Sequence, residues 1–196
     1  MKILETERLT IRELNAATDA AFVLELLNSP KFIKYIGDRG VRSVEESREF
    51  IENRYRQSYR DHGFGLYTVG LKSGESTDND TLRAARVSAS DTATQIGICG
   101  FVKRDTLPGP DLGFAFLPEF EGRGYGFESA AAMMNYGRET LGFTEVLAIT
   151  SLHNDVSGRL LEKLRFKFER LIDSGDEKLK LFCHRVHREH GESKFQ

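Results

Sequence analysis

Glu121–Ala130 reads EGRGYGFESA, and it decides how the rest of the chain is to be understood. Glycines fall at alternate positions (Gly122, Gly124, Gly126) immediately before a stretch with helical patterning. Glycine permits sharp turns and brings backbone N–H groups up to a ligand without interference from a Cβ. The helix that follows opens with unpaired N–H groups and about half a positive charge. Such a turn suits a diphosphate, and Arg123 adds a charge-assisted donor beside it. The competing reading is structural: a glycine-rich turn that only lets a strand and a helix pack tightly.

Two familiar phosphate loops do not fit. A Walker A loop needs Gly-Lys-Ser/Thr after its last glycine, and Phe127-Glu128-Ser129 stands there. A dinucleotide fingerprint counted from Gly122 puts its third glycine on Phe127, and counted from Gly124 puts it on Ser129. That loop also closes the first strand of a parallel unit, whereas here two helices and several strands come first. Glu145 has the downstream spacing of a ribose-binding acid, but it opens its strand instead of ending it.

Outward from the turn, alternating and helical periodicities predict a mixed α/β chain. Arg8–Glu13 alternates as a strand. Asp19 is expected to cap a helix to about Asn28, stopped by Pro30. Lys31–Val41 reads as a link, and its aromatic and aliphatic residues suit either a pocket wall or a staple for the next helix. Ser43 and Glu46 form a capping box for a helix to about Arg60. Strands follow at Phe64–Leu71, Gln95–Arg104 and Asp111–Leu117. The polar stretch Lys72–Thr94 reads as an insertion or extended hairpin, with a weak strand pattern at Thr81–Ser88. Beyond the turn come a helix to Leu141, a strand Glu145–Thr150, a helix Asp155–Leu164, and a closing hairpin of Phe166–Ile172 and Lys178–His184. The order β-α-α-β-β-β-α-β-α-β-β implies one domain over residues 1–196 on a largely antiparallel sheet, with residues 185–196 as a tail.

Composition narrows the function classes. The chain has 28 basic and 30 acidic residues, so no global field attracts nucleic acid or an anionic membrane. No run of about 18 apolar residues occurs, and the amino-terminal stretch does not read as a signal peptide. Cys99 and Cys183 lie in apolar-alternating runs and read as buried, reduced thiols of a cytoplasmic protein. His184, His187 and His190 recur every three residues but lack a carboxylate or thiol companion, so no metal site is expected.

A second segment, His153–Phe166 (HNDVSGRLLEKLRF), gives the turn a context. Together with Pro118–Ala130 it resembles the two signature segments of the GCN5-related N-acetyltransferases. Glu121, Gly124 and Gly126 stand at the positions of that superfamily's Q/R-x-x-G-x-G/A turn. Asn154, Ser157, Leu161, Lys163 and Phe166 match the N-x-x-S-x-x-L-x-K-L-G-F segment of the branch that includes the RimJ/RimL ribosomal-protein acetyltransferases. Thr6–Arg12 (TERLTIR) is similar to that branch's opening strand. Two positions depart: Glu121 is acidic at the Q/R position, and Arg165 stands where glycine is usual.

The resemblance implies the acyl-CoA N-acyltransferase fold, a twisted sheet flanked by about four helices. It also implies acetyl-CoA as co-substrate and a primary amine as acceptor, either a protein N-terminal α-amine or a small molecule. By this resemblance the backbone near Phe116 and Leu117 holds the pantetheine arm. The amides of Gly122, Arg123, Gly124, Tyr125, Gly126, Phe127 and Glu128 serve the diphosphate. Asn154 bonds the pantetheine, and Ser157 sits near the sulfur as acid or donor. Asp111 is a candidate base. Asp155 and Ser157 read equally as mere helix caps, and Asp111 as a solvated strand-end carboxylate. Arg165 either pays roughly 1 kcal/mol for a left-handed helix end or ends the helix differently, near the phosphates. An acyl-CoA-binding regulator without turnover is the alternative function. Monomer and homodimer are both compatible with the sequence.

Overall fold

The computed structural model describes residues 1–72, 93–175 and 177–185 of the 196-residue chain. The proposed short strand Thr81–Ser88, most of the 72–94 insertion, His187 and His190 lie outside those residues. Eight strands form one sheet: β1 (Lys2–Glu5), β2 (Leu9–Arg12), β3 (Leu66–Leu71), β4 (Thr94–Val102), β5 (Asp111–Phe116), β6 (Glu145–Ser151), β7 (Lys167–Ser174) and β8 (Glu177–Arg185). Their order is β1-β2-β3-β4-β5-β6-β8-β7. Every neighbouring pair is antiparallel except β5 and β6. The fold is thus the mixed α/β architecture with a mostly antiparallel sheet that the element order predicts. The sequence pattern missed β1, whose short exposed strand carries little periodicity.

Helix α1 (Ala16–Leu27) begins a turn earlier than expected. Asn15 is its cap, with Oδ1 accepting from Ala17 N at 2.8 Å. Asp19 therefore sits inside the first turn, 0% exposed. Its oxygens accept from Arg12 Nη1 and Nη2 at 2.7 and 2.9 Å and from Asn15 N at 2.8 Å. Pro30 does not end this helix; it opens the next one, α2 (Pro30–Tyr35), within the stretch expected as a link. There its fixed φ and missing N–H cost nothing. The capping box at Ser43 and Glu46 forms as predicted and starts α3 (Val44–Phe50). The helix continues through a π-helical stretch, Ile51–Arg56, into α4 (Gln57–His62), ended by left-handed Gly63.

Helices α5 (Tyr125–Glu139) and α6 (Asp155–Lys163) flank β6 in sequence. The main core joins Leu9, Ile11, Val69, Ile98 and Phe101 of the sheet to Phe22, Val23, Leu26 and Leu27 of α1 and to Met133 of α5. A smaller cluster, Leu107, Leu147, Leu181 and Cys183, lies apart from it. Cys99 and Cys183 are both buried and unpaired. Burial pushes the Cys99 thiol up to about 12, which leaves it inert as a nucleophile.

Arg165 adopts φ 65°, so the helix does end in left-handed backbone and the rerouted ending proposed for it is corrected. Phe166 N reaches Leu161 O at 3.0 Å, the closing bond of a Schellman ending. Arginine thus occupies a conformation that glycine adopts more cheaply.

Candidate active site

The site begins where the sheet comes apart. Strands β4 and β5 pair through six residue pairs, but β5 and β6 pair only at Asp111 and Leu147. Leu147 N donates to Pro110 O at 2.8 Å. In a regular parallel ladder the next rung would run from Ile149 N to the carbonyl of Leu112. Instead Ile149 N donates to Asp111 Oδ1 at 3.2 Å. The aspartate side chain takes the rung, and beyond it the strands diverge into a split.

Backbone alternation aims the walls of that split. Leu117 N donates to Ile96 O at 2.9 Å, so Leu117 turns its N–H toward β4. Its carbonyl accepts from Phe120 N at 3.0 Å. Leu117 is therefore withdrawn from the set expected to line the split. In an antiparallel ladder adjacent residues face opposite neighbours. Phe116, paired opposite Gly97, and Phe114, opposite Cys99, accordingly turn their backbone groups into the split. Phe114 was missed because nothing in a strand's side-chain pattern shows where its amides will lack a partner.

The glycine turn stands at the open end. Gly122 and Gly124 are left-handed, with φ of 73° and 84°. Among the described residues, no hydrogen-bond partner occurs for the backbone N–H groups of Gly122, Arg123, Gly124, Tyr125, Gly126 or Phe127. Glu128 differs: its N–H donates to Gly124 O at 3.0 Å, the first intrahelical bond, so its amide is not free for a ligand. Gly126 needs no special φ. A Cβ there would lie 3.2 Å from Leu160 Cδ1 and 3.6 Å from Phe116 Cε2, so glycine keeps α5, α6 and β5 close together at the mouth.

The Glu128 carboxylate points to the β1–β2 turn. It accepts from Thr6 Oγ1 at 2.5 Å, Arg8 N at 3.0 Å and Arg8 Nε at 2.7 Å, and it pairs with Arg8 Nη2 at 2.6 Å. Arg8 also donates from Nη1 to Arg123 O at 3.2 Å and lies over the Tyr125 ring at 4.6 Å. This arginine braces the turn from beneath. Burial alone would raise the Glu128 carboxyl, but the bonds from Thr6 and Arg8 outweigh it and hold the group below its ordinary value. The acid at Glu121 is accounted for by Lys31 of α2, whose ammonium pairs with it. A negative charge at the turn is thus neutralised by a residue ninety positions away.

Asn154 caps α6, with Oδ1 accepting from Ser157 N at 3.2 Å. The capping role proposed for Asp155 and Ser157 belongs to Asn154 instead. Asp155 pairs with Lys180 at 3.5 Å. Ser157 sits in the first turn of α6, half-buried, with no hydroxyl partner among the described residues. At the closed end, Asp111 is 1% exposed, so it is no solvated strand-end carboxylate. Arg104 Nε donates to its Oδ2 at 2.5 Å. Burial lifts its pKa to about 6, against the pull of Arg104 and the Ile149 amide.

A row of free amides thus stands beside a split sheet, with unpaired backbone along one wall. A family model described as an acetyltransferase (GNAT) domain matches residues 8–167, and the chain belongs to that family. It is 24% identical over 171 residues to the uncharacterized N-acetyltransferase YoaA of Bacillus subtilis, covering 87% of this chain and 85% of that one. The fold is similar to RimL, a ribosomal L7/L12 alpha-N-protein acetyltransferase, with a TM-score of 0.68, 11% identity and coverage of 95% and 94%. It is also similar to spermidine N-acetyltransferase from Vibrio cholerae, solved with CoA and spermine: TM-score 0.66, 16% identity, coverage of 92% and 96%. The chain is an N-acetyltransferase of the GNAT family, as its two signature segments imply.

Proposed function

We propose that this N-acetyltransferase takes its acetyl group from acetyl-CoA and passes it to a primary amine by direct attack on the thioester. The observation that carries this reading is the row of amides from Gly122 to Phe127 at the open end of the β5–β6 split. Successive N–H groups around left-handed glycines make an anion-binding concavity, and the start of α5 adds its dipole. The donor chemistry therefore fits a diphosphate, and the unpaired backbone of Phe114 and Phe116 fits the amide-bearing pantetheine arm.

Bound acetyl-CoA supplies an activated acyl carbon on which a C–N bond forms as the C–S bond breaks. The chain's own residues have three tasks. The split holds the amine and the acyl carbon together. Asp111 receives the ammonium proton, directly or through water; with a pKa near 6 it is a better base than an ordinary carboxylate. Ser157 donates a hydrogen bond to the departing thiolate, which takes its proton from water, and Asn154 keeps Nδ2 for the pantetheine while its Oδ1 caps the helix. The regulator reading loses its two motives, because Lys31 neutralises Glu121 and Arg165 ends its helix in the usual left-handed manner. No helix among the described residues is long and apolar enough to cross a membrane. A cytoplasmic setting is supported by the two buried, unpaired thiols.

The test is release of free thiol from acetyl-CoA across a panel of N-terminal peptides, polyamines and aminoglycosides. Amine-dependent release supports the proposal. Tight CoA binding with no release from any of them counts against transfer and restores the regulator.

A further inference from the structure

Lys31 reaches the glycine turn from a distant part of the chain. Pro30 fixes the backbone before it, and Phe32, 6% exposed, anchors α2 in the main core after it. Held between the two, Lys31 extends its ammonium to the carboxylate of Glu121, the residue directly before the first free amide, Gly122. The pair joins α2 to the open end of the β5–β6 split.

Stability does not explain this pair. Its side chains are 57% and 29% exposed, and an ion pair so open to water contributes little to folding. The second acid at the turn is arranged differently. Glu128 is held by Thr6 and Arg8 and faces the β1–β2 turn. Glu121 instead borders the amide row, where a carboxylate opposes a diphosphate of the same sign. Lys31 cancels that charge and still keeps donors in hand. An ammonium carries three N–H groups, and among the described residues Glu121 is the partner this one bonds. A compact cation on a flexible stem can hold Glu121 with one donor and turn another to a phosphate oxygen.

We infer that Lys31 is a further ligand of the CoA diphosphate, a cation from α2 that completes the amide row, and that Glu121 is the positioning residue that holds it there. The acid at the turn serves binding through its partner. The inference rests on the reading of the turn as the diphosphate site. It extends that site to a helix outside both signature segments.

The experiment titrates CoA and pantetheine into the protein by calorimetry. Pantetheine has the arm without the diphosphate, so the ratio of the two affinities isolates the turn. In Lys31→Ala the ratio should fall by about tenfold or more, since an attraction is lost and Glu121 is left uncompensated. Lys31→Arg should keep it within about threefold of native, because the charge remains. The double variant Lys31→Ala/Glu121→Gln separates contact from neutralisation. With the acid gone as well, its ratio should still lie roughly three- to fivefold below that of Glu121→Gln alone. Equal ratios in those two variants overturn the inference, because Lys31 then only neutralises Glu121. Tm should shift little in every variant, as an exposed pair implies. Loss of CoA and pantetheine affinity in step, with the ratio native, also overturns it. A ratio near one in the native protein sinks the diphosphate reading itself, whereas a high native ratio untouched by Lys31→Ala sinks this inference alone.

Discussion

Replacing Glu128 with glutamine probes the brace beneath the glycine turn. The native carboxylate receives Thr6 Oγ1, Arg8 N, Arg8 Nε and Arg8 Nη2. Glutamine keeps one acceptor oxygen but presents an amide group to the Arg8 guanidinium. Two charge-assisted bonds are lost or weakened, at about 1 kcal/mol each relative to neutral ones. The side chains are 30% and 19% exposed, so screening trims the sum, and we expect about 1–2 kcal/mol in all. For a chain of this size that lowers Tm by about 2–8 °C. Arg8 also holds Arg123 O and the Tyr125 ring, so the loosened turn should bind CoA about three- to tenfold more weakly. The pH dependence carries a sign. A carboxyl held below its unfolded value contributes stability at pH above about 4.5 that disappears as pH falls through the lower folded value. Thermal unfolding of native and Glu128→Gln protein should therefore differ at pH 7 and draw together as the pH falls below about 4.5. Equal Tm values at pH 7 would refute the brace.

Three further outcomes follow from the same geometry. Gly126→Ala should weaken CoA binding by pushing Leu160 and Phe116 apart at the mouth of the split, where an added Cβ meets Leu160 Cδ1 at 3.2 Å; native CoA affinity in a folded Gly126→Ala variant would contradict this. Ser157→Ala should reduce kcat more than it alters CoA affinity, because the Asn154 cap uses the Ser157 backbone and survives; an unaltered kcat would leave Ser157 without a part in transfer. Acetyl transfer should fall as pH drops through about 6, where Asp111 takes up its proton, and Asp111→Asn should lower kcat and abolish that limb with little change in KM for acetyl-CoA. A limb that persists in Asp111→Asn would assign it to another group.

Much of the fold was legible because its strongest signals are local. The Ser43 capping box, the left-handed glycines after the strand and the helix carrying Leu161 each act within a few residues. Asn15 was overlooked as a cap because Asp19 offers the same chemistry four residues later. Only its burial against Arg12 of a neighbouring strand removes it from that role. The glycine turn is local in the same way, whereas Asn154 was singled out only through the resemblance of its segment. The partners of Glu121, Glu128 and Asp111 could not be read: Lys31, Arg8 and the Ile149 amide are brought to them by tertiary contacts that no periodicity encodes. Leu117 and Phe116 were treated alike in the sequence, and only the register against Ile96 and Gly97 turns them to opposite sides.

The binding claim rests most heavily on the left-handed turn at Gly124. Valine there cannot hold φ 84° without a cost of about 1–2 kcal/mol or more, and its Cβ would sit 3.3 Å from Arg8 Nη2. The turn should relax and misalign its amides. Calorimetric titration of CoA into folded Gly124→Val protein should show affinity reduced at least tenfold, with the circular dichroism spectrum of the native fold retained. Native affinity in a folded Gly124→Val variant would contradict the assignment of the turn as the diphosphate site.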